Sequence, residues 1–335
     1  MRRSIPVILV LIFCFTAAAY GSEKKIEKRY SGIKSVDIEI VSGDCTVKKH
    51  SSDEVLVEIT YDSSLEDVVE FRFREHSGRL SLEEDWNDSG RGNIDWMIML
   101  PADTDLEFSS ASGDFSASGI SGELEGSTAS GDIELDGLEG SVEISVASGD
   151  IDIRNSRGDI EISTASGDIT IENCSGDIDL STASGDIEAS GIESDDIDIS
   201  AASGDIDISD AKGRFDLSVA SGDVEAKGVE ITGDSEFSTA SGEVSVMLAH
   251  SPRDGLELST ASGDVLLDYN GNSITGYFEF IARKGRGRIR APFDFDQEEE
   301  FRKDGRTYLK KSFSRKGDSP KIYLSTASGK VELKK

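Results

Sequence analysis

Residues 147–171 read ASGDIDIRNSRGDIEISTASGDITI and contain one full period of the pattern that dominates this chain. Apolar and polar side chains alternate, as in Ile151, Asp152 and Ile153, and the tetrapeptide A-S-G-D begins at Ala147 and again at Ala165. Alternation with a period of two indicates strands that bury one face. A weaker R-G-D or S-G-D tripeptide, half a period out of phase, divides each period into two short strands and two turns.

The tripeptide A-S-G recurs in a series of ten copies, in most cases at the same interval. It begins at Ala111, Ala129, Ala147, Ala165, Ala183, Ala202, Ala220, Ala240, Ala261 and Ala327. Asp follows it eight times, and Glu243 and Lys330 follow it in the other two copies. Because Gly accepts a positive φ and Asp hydrogen-bonds nearby main-chain amides, each copy predicts a tight corner.

Two architectures fit this period: an antiparallel meander, or a solenoid whose successive coils stack on one another. A meander would leave one wide apolar face, and the chain offers no second layer to cover it. Stacked coils explain why one position carries the same side chain in every repeat. The predicted fold is therefore all-β, a parallel β-solenoid of 18-residue two-strand coils with capped ends.

The chain divides into four predicted segments. Residues 1–21 combine Arg2 and Arg3 with an apolar run and a small-residue end, which is typical of a cleavable signal peptide. Residues 22–100 predict an N-terminal β cap with strands near 36–40, 55–61, 68–74 and 96–100. Residues 101–270 form the acidic repeat, and residues 271–335 form a basic insertion followed by a closing coil. No apolar stretch after the signal is long enough to predict a transmembrane anchor.

Charge is segregated along the chain, whose formal net charge is −31. Residues 101–270 carry 6 basic and 39 acidic side chains, whereas residues 271–335 carry 16 basic and 9 acidic ones. The middle segment is so acidic that it repels nucleic acid and anionic lipid. Nucleic acid is therefore not an expected partner.

The opening GIKSVDIEIVSGD (32–44), the repeated STASGDI and the closing YLSTASGKVEL (323–333) resemble a bacterial β-strand-repeat family. That family is a domain of unknown function, labelled adhesin-like and related to the toast-rack domain of envelope-stress proteins. The resemblance covers nearly all of the mature chain and implies an exported or membrane-tethered stacked β fold without an agreed activity. Its motif is structural, so it speaks for fold more than for function.

The corner aspartates are the first candidate site. They are Asp114, Asp132, Asp150, Asp168, Asp186, Asp205, Asp223 and Asp264 at one corner, called here the aspartate file, with Asp159, Asp177 and Asp196 opposite. Stacked strands lie about 4.8 Å apart, so carboxylates in file repel one another unless something compensates. We expect each Asp to accept turn amides, and bound Ca²⁺ is the alternative. The G-G-x-G-x-D signature of calcium-binding β-rolls is absent.

Three further features have simpler structural interpretations. Arg157-Gly158-Asp159 is an integrin-type tripeptide that one Ser-to-Arg change in the half-repeat would produce. The basic stretch Arg283–Arg290 predicts a strand with a solvated basic face, or a surface that docks on an acidic array or an envelope polyanion. Cys45 stands at a buried aliphatic position and Cys174 at an Ala position, so both are expected as apolar fillers rather than as a disulfide.

Catalytic residues are not predicted, because His50, His76 and His250 are scattered and no metal-ligand or nucleophile motif occurs. No catalytic, cofactor-binding or metal-binding residue is assigned. The predicted function is an exported, non-enzymatic structural or binding module of the cell envelope or surface, adhesin-like, with a protein or glycan partner. The alternatives are a calcium-stabilised exported β-roll and a sensor or scaffold for envelope stress. Self-association through an end of the stack stays open.

Overall fold

The computed structural model describes residues 23–335, and the predicted signal peptide lies outside these residues. Within them the chain forms 31 strands and a single 3-10 turn, Ser63–Leu65, and no α-helix. The strands of the N-terminal part are β1 (Glu23–Ser31), β2 (Ser35–Ile40), β3 (Asp44–Lys49), β4 (Glu54–Asp62), β5 (Val69–His76), β6 (Arg79–Trp86) and β7 (Ile94–Leu100).

The strands of the repeat region follow in short, regular succession. They are β8 (Asp105–Ser110), β9 (Phe115–Ser118), β10 (Leu124–Thr128), β11 (Ile133–Asp136), β12 (Val142–Val146), β13 (Ile151–Arg154), β14 (Ile160–Thr164), β15 (Ile169–Glu172), β16 (Ile178–Thr182), β17 (Ile187–Ser190), β18 (Glu193–Ser203), β19 (Ile206–Ser209), β20 (Lys212–Ser221), β21 (Val224–Ile231), β22 (Ser235–Ser241), β23 (Val244–Leu248), β24 (Leu256–Ser262) and β25 (Val265–Asp268). The C-terminal strands are β26 (Gly276–Arg283), β27 (Arg288–Arg290), β28 (Gln297–Lys303), β29 (Arg306–Arg315), β30 (Lys321–Thr326) and β31 (Lys330–Lys334).

Strands of the repeat region pair in parallel with the second strand before and after them. Val142 of β12 lies opposite Ile160 of β14, and Ile151 of β13 lies opposite Ile169 of β15. The predictions of an all-β class and of parallel pairing are therefore confirmed, and the antiparallel meander is excluded for the repeats. Two ladders result, which we call ladder A and ladder B.

The two ladders run side by side through the whole repeat region. Ladder A follows the order β1, β4, β7, β3, β9, β11, β13, β15, β17, β19, β21, β23, β25, β31 and β27. Ladder B follows the order β5, β6, β2, β8, β10, β12, β14, β16, β18, β20, β22, β24, β30, β26, β29 and β28.

The core lies between the ladders and consists of stacked aliphatic side chains. Ile153 and Ile171 of ladder A and Ile162 and Leu180 of ladder B are at most 1% exposed. Burying one such side chain contributes roughly 1.5–3 kcal/mol, and each repeat unit, from one A-S-G tripeptide to the next, adds several of them. The alternation seen in the sequence thus places one face of every strand in the core.

The stack has a third turn that the sequence analysis did not identify. Each ladder A strand from β9 to β19 is followed by a residue with positive φ, including Asn155 at 53° and Asn173 at 55°. The equivalent positions carry Gly119, Gly137, Gly191 and Asp210, and Gly228 within β21, which also have positive φ. Gly, Asn and Asp are the residues that tolerate this conformation, so their recurrence was the signal.

Cys174 was expected at an Ala position, and the column in which it lies contains Ala211 but is not restricted to Ala. Arg157, Ser175 and Glu193 pair in parallel, so Cys174 stacks between Ser156 and Ile192. Cys174 is 1% exposed, which agrees with the expected role as an apolar filler. Cys45 is also buried, and both thiols are free.

The two ends of the stack are closed in a similar way. At the N-terminal end, β2 and β3 pair with β8 and β9, and β4 to β7 lie beyond them. At the C-terminal end, β30 and β31 pair with β24 and β25, and β26 to β29 lie beyond them. Antiparallel pairs occur at these ends, as between β4 and β7 and between β26 and β29.

Aromatic side chains close the core at both ends. Phe71 and Trp96 meet edge to face at 5.6 Å in the N-terminal part. Phe278 and Phe313 stack at 4.8 Å in the C-terminal part, where Phe293 and Phe295 pack against Phe313. Rings of this size cover the last aliphatic layer, which would otherwise face water.

Candidate functional site

The aspartate file is held by hydrogen bonds between successive repeat units. Oδ1 of Asp132 accepts the main-chain N–H of Asp150 at 2.9 Å, and Oδ1 of Asp168 accepts that of Asp186 at 2.8 Å. Equivalent bonds join Asp44 to Asp114, Asp114 to Asp132, Asp150 to Asp168, Asp186 to Asp205, Asp205 to Asp223, Asp223 to Glu243, and Asp264 to Lys330. Each carboxylate therefore interacts with the partial positive charge of an amide, as expected from the sequence.

The three aspartates of the opposite corner do not form such a series. Asp196 instead lies 2.6 Å from the guanidinium of Arg214, at a register shift in β18. The integrin-type tripeptide lies at this corner, where Gly158 donates its N–H to the carbonyl of Ser175 at 2.8 Å. It is thus part of a flat, hydrogen-bonded corner rather than the tip of a loop.

Across residues 23–335, no group of three or more His, Cys, Asp or Glu side chains is arranged to hold a metal ion. Burial raises the pKa of both the Cys45 and the Cys174 thiol, which keeps them protonated. These thiols are therefore poor ligands and poor nucleophiles.

A continuous row of carboxylates occupies the outer surface of ladder B. We call it the acidic file: Glu107, Glu125, Glu143, Glu161, Asp179, Asp198, Asp216, Glu236 and Glu257, each opposite the next in register. At about 4.8 Å per strand it extends over roughly 38 Å. The next rung after Glu257 carries Tyr323.

The acidic file lacks the amide contacts that support the aspartate file, and its carboxylates affect one another. Partial burial raises the pKa of Glu236, and the neighbouring Glu257 and Asp216 raise it further. The pKa of Asp198 is raised in the same way by partial burial and then by Asp216, Asp179 and Asp196. A cation or a hydrogen-bond donor placed here would relieve this repulsion.

A shallow groove runs beside the acidic file. Small side chains line it, mainly serines such as Ser181, Ser200 and Ser218 and alanines such as Ala183 and Ala202, and its volume is about 880 Å³. The serines are themselves stacked in register from one repeat unit to the next. The face therefore offers a continuous track of small side chains rather than a set of separate pockets.

The acidic file ends in a cleft of about 580 Å³, which we call the acidic cleft. Its walls are the segments 253–255 and 318–320, and its floor is the outer surface of β20, β22, β24 and β30. The lining residues are Arg214, Asp216, Asp234, Ser235, Glu236, Arg253, Asp254, Gly255, Leu256, Glu257, Asp318, Ser319, Pro320, Lys321 and Tyr323.

The row of Asp216, Glu236 and Glu257 on the floor of the acidic cleft accepts hydrogen bonds and does not donate them, and the donors of the floor are Arg214, Ser235, Lys321 and Tyr323. Within residues 23–335, Asp216, Glu236 and Glu257 form no ion pair, because Arg214 is already bound to Asp196. Two other acidic residues that line the cleft are already engaged: Asp234 accepts the N–H of Gly255 at 2.7 Å, and Asp318 accepts a bond from Ser314. The floor carboxylates therefore remain available to a ligand. This cleft was not predicted from the sequence, because its walls come from two segments far apart in the chain.

The predicted basic stretch lies at the C-terminal end of the stack. Arg288 and Arg290 of β27 are exposed and lie opposite Lys330 and Glu332 of β31. A strand with an exposed basic face was expected here.

The described part of the chain has no helix with the length and apolar character needed to cross a membrane.

Comparison with known proteins identifies the family. Solved structures similar to this chain include a candidate adhesin of Parabacteroides distasonis ATCC 8503, at 11% identity over 93% of this chain and 97% of that one, with a TM-score of 0.38. A candidate adhesin of Parabacteroides merdae ATCC 43184 is 12% identical over 94% and 97% of the two chains, with a TM-score of 0.32. A candidate cell adhesion protein of Clostridium sporogenes ATCC 15579 is 10% identical over 93% and 99%, with a TM-score of 0.27.

Likeness at these TM-scores and identities does not establish a shared function. No curated protein matches the chain. The Toastrack DUF4097 family, in contrast, matches residues 25–174 and 141–279, which together span most of the repeat region and the N-terminal part. The chain belongs to the Toastrack DUF4097 family.

Proposed function

We propose that this protein is an exported, non-enzymatic binding module of the cell envelope or cell surface, adhesin-like, built on a parallel β-solenoid of 18-residue coils. The observation that carries the proposal is the acidic file of ladder B, which leads into the acidic cleft. A stack of hydrogen-bonded strands holds these carboxylates at a fixed spacing, so little conformational entropy is lost when a partner binds.

A binding role fits the chemistry better than a catalytic one. The family supports a non-enzymatic protein, and the acidic cleft contains carboxylates but neither a nucleophile with a neighbouring base nor a ring of aromatic platforms. Glycoside hydrolysis needs two carboxyl groups on either side of a bound sugar. The floor carboxylates instead lie in one row on one surface.

The acidic cleft selects the kind of partner. Its floor carboxylates accept hydrogen bonds, so they suit ammonium groups or the hydroxyl groups of a glycan. Tyr323 at the end of the row adds an aromatic face against which a sugar ring or a cation packs. The proposed partner is therefore a protein or glycan that presents such donors. No cofactor is included in the proposal.

The experiment compares two double variants of the exported chain. Glu236→Gln with Glu257→Gln removes two floor charges, and Glu125→Gln with Glu143→Gln removes two charges from the same acidic file outside the cleft. Binding to arrays of amine-bearing glycans, neutral glycans and basic peptides is measured by biolayer interferometry. We expect the cleft variant to bind at least about tenfold more weakly, a change of roughly 1.4 kcal/mol, and the control to bind nearly as the wild type does.

Two results would contradict the proposal. Equal losses in both variants would show that the general charge of the file binds, and not the acidic cleft. Failure of wild type to bind any probe would remove the binding function. Protease treatment of intact cells tests the location separately, because only a surface-exposed chain is digested.

A further inference from the structure

Two turns at the C-terminal end form one basic surface, which we call the basic end. The first turn and the strand after it carry Arg283, Lys284, Arg286, Arg288 and Arg290, and the second turn carries Arg302, Lys303 and Arg306. The N–H of Lys284 donates to the carbonyl of Thr307 at 2.9 Å, and its ammonium lies 2.5 Å from Glu300. These bonds tie together two turns that are separated in the chain by β27 and β28.

Most of the positive charge of the basic end is not neutralised locally. Lys284 is the member of the basic end that forms an ion pair within residues 23–335. The nearby Glu298 and Glu299 are already engaged by Lys311 at 2.7 Å and Lys310 at 3.2 Å. Asp304 lies at the tip of the second turn, between Lys303 and Arg306. Six arginines and one lysine thus remain for an external anion.

The acidic body does not prevent this end from meeting an anionic surface. The acidic file ends at Glu257, and β30, β26, β29 and β28 follow it in ladder B. Four strands at about 4.8 Å each exceed the Debye length of about 8 Å at physiological salt. Repulsion from the file is therefore largely screened when the molecule stands on its C-terminal end.

Aromatic side chains next to the basic end favour a lipid surface over a dissolved polyanion. Phe301 and Tyr308 stack at 5.6 Å at the base of the second turn and are only partly buried. Tyr308 also lies opposite Arg283 of the first turn. Aromatic rings beside arginines suit the headgroup region of a bilayer, where one part of the surface is apolar and the other is charged.

We propose that the basic end docks on a bilayer of anionic phospholipid, with the arginines on the lipid phosphates and the stack standing away from the surface. This site differs in position and in charge from the acidic cleft, so it stands or falls independently of the proposed function. It would leave the acidic file accessible to a second partner.

The test measures co-sedimentation of the full chain with vesicles. Vesicles of phosphatidylcholine alone are compared with vesicles of equal parts phosphatidylcholine and phosphatidylglycerol. The variant Arg286→Gln, Arg302→Gln, Arg306→Gln loses three charges at the basic end. The control Arg157→Gln, Lys212→Gln, Lys227→Gln loses the same charge from exposed positions of the body.

We expect binding to the anionic vesicles alone and release at high salt. The partition coefficient of the basic-end variant should be about 100-fold lower, because the variant loses the attraction of three basic residues to the anionic surface. The control should bind as the wild type does. Three outcomes would overturn the proposal: no binding to anionic vesicles, equal weakening by both variants, or binding to soluble polyphosphate without binding to vesicles. The last would identify a dissolved polyanion as the partner.

Discussion

Oδ1 of Asp168 accepts the main-chain N–H of Asp186 at 2.8 Å, so two like-charged residues on adjacent repeat units are joined by a hydrogen bond. The bond lets each carboxylate stabilise the corner of the next unit. It also explains how a row of aspartates persists along the stack, since each anion faces an amide dipole.

Replacing Asp168 by Ala should therefore destabilise the protein by about 1 kcal/mol, because the N–H of Asp186 loses its acceptor. Asn in its place keeps the acceptor oxygen and should retain most of the stability. Urea unfolding followed by circular dichroism measures both. Glu161→Gln is the matched control, since it removes one charge from the acidic file without removing a hydrogen bond. Equal effects of Asp168→Ala and Glu161→Gln would show that charge alone matters.

Gly167 should tolerate no side chain. Its φ is 139°, and a Cβ there would overlap the carbonyl oxygen of Gly149 in the preceding unit. We expect Gly167→Ala to cost at least about 3 kcal/mol, from strain combined with displacement of the neighbouring corner. Gly137→Ala is the control, because Gly137 also has positive φ, at 66°, but has open space around it. That variant should lose only about 1–2 kcal/mol. Similar losses of stability in both variants would show that glycine is required by its positive φ, and not by the close approach of the neighbouring carbonyl.

Glu84 gives the protein a stability that depends on pH. The residue is 5% exposed, and its carboxylate accepts the N–H of Ser42 at 3.1 Å and contacts the indole nitrogens of Trp86 and Trp96. Burial raises the pKa of Glu84 above its ordinary value of 4.5, and these hydrogen bonds only partly oppose the shift. The folded protein therefore binds this proton more tightly than the unfolded chain does.

The contribution of protonated Glu84 to the free energy of unfolding is fully present below pH 4.5. It is lost as the pH rises through the folded-state pKa of Glu84. Glu84→Gln should reduce that loss and leave the protein at least as stable as wild type at neutral pH. Trp86 and Trp96 are the two tryptophans of the chain, so their fluorescence during urea unfolding reports on this site directly. If the stability of Glu84→Gln depended on pH as that of the wild type does, Glu84 would not be the source of the pH dependence.

Calcium should change the melting temperature little. Each aspartate of the file already accepts an amide N–H, so the corners have a source of electrostatic compensation without a metal. Thermal melts followed by circular dichroism, in excess chelator and then in millimolar calcium, test this directly. A large rise with calcium would instead support the alternative of a calcium-stabilised β-roll.

Much of the repeat region could be predicted from its sequence, because its structure depends on residues that are close together in the chain. Ile151 and Ile153 point inward while Asp152 points outward, since side chains alternate along any strand. The corner glycines and aspartates were predicted for the same reason, because a tight turn has a strong preference for particular side chains. The turn at Asn155 and Asn173 was overlooked, although asparagine visibly recurs there at the interval of the repeat.

The acidic file could be predicted only in part from the sequence. The sequence showed that Glu161 and Asp179 point outward, but not that they lie in register with Glu236 and Glu257, because the repeat units become longer before those two residues. The longer units absorb most of their extra residues in the turns, a register shift within β18 absorbs one, and the strands otherwise keep their pairing. Register between strands depends on hydrogen bonding across the stack, which no single strand specifies.

Local pattern thus determined which residues form strands, which face of each strand is buried and where the corners fall, because these follow from backbone and side-chain geometry within a few residues. Tertiary structure alone decided how the ends close, how segments 253–255 and 318–320 form the acidic cleft, and how Lys284 meets Thr307 at the basic end. Those contacts join residues far apart in the chain. They form because the last strands of the stack leave unpaired edges and an exposed apolar layer. The remote segment that docks there is the one that pairs with the edge and also covers the apolar layer.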